Sequence, residues 1–107
     1  MGAVYSQLPG QMGLVFRRGD EFGSVVDFDI SLSGYTVSSV ITSLVTGEDV
    51  MPITTTFANA GAGQVNVSLT ETQTASLAAG SYGWRLEWDS PGGVRRTALS
   101  GVVEVAP

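Results

Sequence analysis

The chain has 107 residues, 43% hydrophobic and 14% charged, enough for one domain with a single modest core, and no apolar run reaches the roughly 18 residues of a membrane-spanning helix. A net charge of −5 with no basic stripe argues against nucleic acid and anionic membranes as partners, since both are bound largely through clustered Lys and Arg. With no Cys, no His and only arginines as basic residues, the sequence offers no disulfide, thiolate, imidazole ligand or Schiff base, and neither an enzyme nor a cofactor is expected.

In chain order, "MGAVYSQLPGQMG" lacks the basic and continuous apolar regions of a signal peptide. It also lacks a regular period, so residues 1–13 read as an N-terminal arm ahead of a domain over 14–107. Tyr5, Leu8 and Met12 are its candidate assembly contacts. "GLVFRR" then puts Leu14 and Phe16 on one face, Val15 and Arg17 on the other. "FGSVVDFDI" alternates with Phe22, Ser24, Val26, Phe28 and Ile30 inward and Gly23, Val25, Asp27 and Asp29 outward, the period of a half-buried strand. Between these runs, Arg18-Gly19-Asp20-Glu21 predicts a turn. Gly19 supplies positive φ and Asp20 accepts local backbone hydrogen bonds. "SLSGYT" predicts a corner through Gly34 ending in Tyr35. "TVSSVITSLV" is rich in β-branched residues, with Val37 and Ile41 on one face and Val40 and Leu44 on the other; a bulge or burial on both faces would reconcile them.

"TGEDVMP" reads as a polar connection, "ITTTF" (53–57) as a short strand and "ANAGAG" as a loop. "QVNVSL" alternates with Val65, Val67 and Leu69 inward. In "TETQTASLAAGSY", Thr70 and Gln73 match a capping box and predict a single helical turn that Gly80 ends. "YGWRLEWD" is the strongest strand, with Tyr82, Trp84, Leu86 and Trp88 on one face. "SPGG" is a tight turn. "VRRTALSGVVEV" closes the chain with Leu99, Val103 and Val105 in phase and Gly101 as a bend.

About seven short strands with turn signals between them make the fold class all-β, and predict an immunoglobulin-like antiparallel β-sandwich with one short helical turn. A barrel of roughly five or six strands is the alternative. The expected core is Phe16, Phe22, Val26, Phe28, Val65, Val67, Leu69, Trp84, Leu86, Trp88, Leu99 and Val103. Tyr82 sits near the start of the penultimate strand, where such folds often have a Tyr whose hydroxyl bonds back to the preceding corner.

Other features carry two readings each. Trp84 and Trp88 would suit a sugar-stacking platform, but they share a face with Leu86 and Tyr82, which favours core packing. Asp27 and Asp29 supply too few oxygens for Ca²⁺ alone; a solvated face paired with Arg85 or Arg95 is the simpler reading. Glu48 and Asp49 are the other close carboxylates. Asn66-Val67-Ser68 matches a glycosylation sequon, but Asn66 falls mid-strand. Arg95 and Arg96 are candidate contacts for an acidic partner.

The order of these elements resembles a family of small immunoglobulin-like virion proteins of tailed bacteriophages. The matching stretches are "RGDEF" (18–22), "ISLSGYT" (30–36), "GQVNVSLTETQTASLAAGSY" (63–82), "SPGG" (90–93) and "LSGVVEV" (99–105). The connection between Phe28 and Ser33 is shorter than the family's, and residues 1–13 lie outside the pattern. The resemblance implies that Arg18-Gly19-Asp20 is a turn delivering an inward Phe to the second strand, not a cell-adhesion signal. It implies a non-enzymatic structural protein of the virion, associated with tail, baseplate or fibre, present in several copies with other virion proteins as partners, and a homo-oligomer on the particle. A capsid decoration protein is the alternative within that family, and a carbohydrate-binding module the alternative outside it.

Overall fold

Eight strands, one six-residue α-helix and one 3-10 turn make up the computed structural model, which describes residues 10–28 and 30–107. The strands are β1 (Gly10–Gln11), β2 (Leu14–Arg17), β3 (Phe22–Asp27), β4 (Thr36–Thr42), β5 (Asp49–Asn59), β6 (Gln64–Leu69), β7 (Gly80–Asp89) and β8 (Arg95–Ala106), and the helix α1 (Glu71–Ser76) joins β6 to β7. The structure is all-β, about 59% strand, and its sheet curls into a nearly closed, barrel-like shape.

Hydrogen-bonded neighbours follow the order β1-β8-β7-β4-β5-β6-β3, with β2 also on β8. The sheet is mixed rather than wholly antiparallel. β1 and β2 run parallel to β8, because the N-terminal segment lies alongside the last strand in the same direction. β2 and β3 therefore do not form a hairpin: β2 pairs with β8 and β3 with β6. The turn between them carries the chain from one side of the core to the other.

β5 does the same by another means. Its first half, Asp49 to Ile53, pairs with β4, and its second half, Thr54 to Asn59, pairs with β6. The polar stretch Asp49–Pro52 is thus strand, not connection. Pro52 is tolerated because this half of β5 has a neighbour on one side only, so no second ladder loses a donor. The mixed parity of β4 resolves as a register shift against β5 between Ile41 and Thr42. Ser39 and Ile41 are buried, while Leu44 is exposed in the following turn.

The core gathers Phe16, Val26, Val65, Val67, Leu69, Trp84, Leu86, Leu99 and Val103, all buried. Phe22, Phe28 and Trp88 are half-buried against it. Ile30 was expected inward, but β3 ends at Asp27 and Ile30 is exposed. Its place is taken by Leu32, which is fully buried; its amide donates to the Ala60 carbonyl (2.7 Å) and its carbonyl accepts from Tyr35 (3.0 Å). The corner is therefore fastened into the core through Leu32.

α1 forms for the expected reason. The Thr70 hydroxyl accepts from the Gln73 amide (3.2 Å), and the Gln73 side chain accepts from the Thr70 amide (2.8 Å). Its end differs from expectation. The helix stops at Ser76 with Leu77 extended and buried, and Gly80 instead opens β7. Burial of Leu77 requires the chain to leave the helix there.

Candidate functional site

Three clusters collect the residues singled out in the sequence. The first is the Arg18-Gly19-Asp20 turn. Gly19 has φ +84°, a conformation a side chain makes costly. Its amide donates to the Thr74 hydroxyl (3.0 Å), and that hydroxyl donates to the Asp20 carbonyl (2.9 Å). The Arg18 guanidinium donates to the carbonyls of Leu77 (2.6 Å) and Ala75 (2.8 Å). A cation and its donors at the C-terminal end of α1 satisfy carbonyls the helix leaves open. The tripeptide is therefore a clasp on α1, with its Arg committed to the fold. Thr74, fully buried, was not picked out from the sequence; a Thr within a capping-box helix gives no periodic signal of burial.

The second cluster lies at the α1–β7 corner and along the inward face of β7. The Tyr82 hydroxyl donates to the Ala78 carbonyl (2.7 Å), the backward bond expected of it. Further along the strand, Trp88 makes edge-on contacts with Phe28 (centroids 5.1 Å) and Tyr35 (5.7 Å). Gly34 turns the chain just before Tyr35 and lies beside Pro91 of the "SPGG" turn. That turn closes with Gly93 donating to the Ser90 carbonyl (2.8 Å).

The third cluster joins the N-terminal segment to the sheet. β1 pairs with Leu99 and Ser100 of β8, Met12 donates its amide to the Ser100 carbonyl (3.0 Å), and Trp84 Nε1 donates to the Met12 carbonyl (2.8 Å). The Met12 side chain is half-buried against the core. Gly101 is not a bend but a point of close approach: a Cβ there would collide with the Met12 carbonyl. Among the described residues the sheet thus reaches back to Gly10, inside the stretch expected to be an arm. Periodicity could not reveal this, because a two-residue strand has none. Tyr5 and Leu8 lie outside the described residues.

The charged residues pair differently from expectation. Arg85 meets Asp49 (3.3 Å) and Glu87 (3.5 Å), and Arg95 meets Asp89 (2.9 Å). Asp27 is not among their partners: it lies on β3, which pairs with β6 and not with β7 or β8; Asp29 lies outside the described residues. The hydrogen bond from Arg95 holds the Asp89 carboxyl below its ordinary range, and the same bond raises Arg95. Arg95 is thus engaged within the fold rather than offered to an acidic partner. Arg96 lies opposite Trp88 in the ladder. Asn66 sits mid-strand in β6 opposite Val25. Trp84 is 2% exposed, so it presents no ring face to a sugar.

Set against known proteins, the chain matches no family model and no curated protein.

Proposed function

We propose that the chain is an immunoglobulin-like β-sandwich module serving as a non-enzymatic structural component of a tailed-phage virion, associated with tail, baseplate or fibre. The observation that carries this reading is that the shared pattern coincides with fasteners of the fold. "RGDEF" clasps α1, "LSGYT" forms the corner under Trp88, and the Tyr of "LAAGSY" bonds back across its own corner. A pattern made of fasteners marks a scaffold, and gives no residue set a chemical task.

The connectivity supports the immunoglobulin-like part. One side is built of β4, β7 and β8 with β1 and β2 parallel to β8; the other is built of β3, β6 and the second half of β5. That is the strand grouping of such sandwiches, with a leading strand moved onto the last one. The function rests on the resemblance, because fold does not specify function.

Antibody labelling of purified particles tests it. Label on the tail is the expected result. Label on the capsid shell would move the protein to a decoration role, and particles without the chain would sink the virion reading. Removing residues 1–9 leaves β1 and the Met12 carbonyl in place; the truncated protein should melt as the full chain does but enter particles poorly. Normal incorporation would remove the arm from the proposal.

A further inference from the structure

β3 ends the strand order, with β6 on one side and no described strand on the other. Phe28 donates its amide to the Gly63 carbonyl (2.8 Å), and the β3–β6 ladder continues from that pair with no register shift. Along an antiparallel ladder, hydrogen-bonded and non-hydrogen-bonded pairs alternate. Phe22, Ser24, Val26 and Phe28 therefore turn their N–H and C=O groups toward β6, while Gly23, Val25 and Asp27 turn theirs away from it. These last three are exposed, and among the described residues nothing bonds their main chain.

An open edge invites a further strand, and folds commonly guard one with proline, lysine or a bulge. The first half of β5 carries Pro52 in that role. β3 has no proline, no lysine and no bulge, and the middle one of its three free residues is Val25, 54% exposed. A two-fold axis through Val25, perpendicular to the sheet, lays β3 of a second copy antiparallel beside the first. Val25 then meets Val25, Gly23 meets Asp27 and Asp27 meets Gly23, which forms about six main-chain hydrogen bonds. An axis at Ser24 or Val26 matches only two of the three free residues within β3. With the axis at Val25, no carboxylate of β3 faces another, because Asp27 meets glycine. On the inward face, the half-buried Phe22 and Phe28 come opposite each other across the new pair.

We propose that the free edge of β3 is a homodimer contact, in which two copies pair β3 with β3 and join their β5–β6–β3 halves into one continuous sheet. The occupant is a second copy because the edge matches itself, as an isologous contact must. Free donors meet free acceptors, and outward side chains lie beside outward side chains. The proposal is independent of the virion reading, since it rests on this edge alone.

Sedimentation equilibrium of the purified chain from about 1 μM to about 1 mM is the test. The wild type should show a reversible monomer–dimer equilibrium. Val25→Pro removes an N–H that faces the second copy and none that faces β6. It should weaken the dimer by at least about tenfold, with the melting temperature checking that the fold is kept; Val25→Lys is a second probe should that variant fold poorly. The chain has no cysteine, so Val25→Cys places a single thiol at the axis. Residues opposed in a hydrogen-bonded pair lie about 5.5 Å apart at Cα, within the span of a disulfide. Under mild oxidation this variant should link into dimers faster than Val45→Cys, whose site in the turn between β4 and β5 is 93% exposed. A wild type that stays monomeric throughout overturns the proposal. So does a dimer indifferent to Val25→Pro and Val25→Lys, or cross-linking no faster at position 25 than at position 45. A dimer abolished by removing residues 1–9 also overturns it, and would assign the edge to that segment.

Discussion

Trp84 and Trp88 lie four residues apart on the same face of β7, and they are held in different ways. Trp84 is 2% exposed and its indole N–H is bonded to a backbone carbonyl 72 residues away in sequence. Its site is a seam of main chain, where β1 approaches β8 closely over Gly101. Trp88 is half-buried among ring edges, against Phe28 and Tyr35. The first site depends on where backbone lies and has one geometry. The second depends on side chains that can adjust. Burial of an aromatic thus has two costs of failure, one for a lost volume and one for a lost partner.

Substitutions along this strand separate the two. Trp84→Ala should be the most damaging, about 4–5 kcal/mol, because a cavity opens and the Met12 carbonyl loses its donor. Gly101→Val leaves Trp84 intact but forces β1 away from β8; about 3–4 kcal/mol is expected from overpacking and the broken bonds. Urea unfolding measures both, and a neutral Gly101→Val would show that the seam can separate freely. Trp88→Ala should cost about 2–3 kcal/mol, below the fully buried case, since the ring is part-exposed and its neighbours can close in. Equal losses at Trp84 and Trp88 would erase the distinction. Tyr82→Phe, at the near end of the same face, should cost about 0.5–1.5 kcal/mol, because water can reach the freed Ala78 carbonyl. The smallest effect belongs to Asp89, on the outward face. Its folded-state pKa is lowered, so its contribution is present above the ordinary value of 3.8 and is lost as the pH falls through the lower folded value. Thermal melts below that pH should show a slight loss that Asp89→Asn removes and that salt diminishes. A pH response unchanged by Asp89→Asn would assign the loss to another carboxylate.

The same distinction explains what could be read in advance. Val65, Val67 and Leu69, or Tyr82, Trp84 and Leu86, announce an inward face because a strand's two faces alternate. The capping box at Thr70 and the backward bond of Tyr82 are local chemistry, fixed within four residues. What depends on distant main chain was not legible. Leu32 is buried because the 60–63 turn lies over its corner. Gly101 is glycine because of Met12, and Arg18 is committed because α1 ends beside it. The first half of β5 reads as a loop because Glu48, Asp49 and Pro52 are poor strand formers; only the one-sided pairing of that half makes Pro52 acceptable. The direction of β1 and β2 against β8 leaves no trace in alternation at all, since parallel and antiparallel pairs share the same period.

That direction has a mechanical consequence. β1 and β2 lie beside β8 and run the same way. Tension applied between Gly10 and Ala106 therefore drags the two partners past one another along their length. The ladder is loaded in shear, and its bonds share the force instead of parting in turn. Attachment at Gly80 and Val105, which are paired at the open end of the β7–β8 hairpin, would instead unzip the β7–β8 ladder bond by bond. A pulling experiment should find the higher rupture force in the first geometry, so that the chain yields least along the line joining those two strand ends.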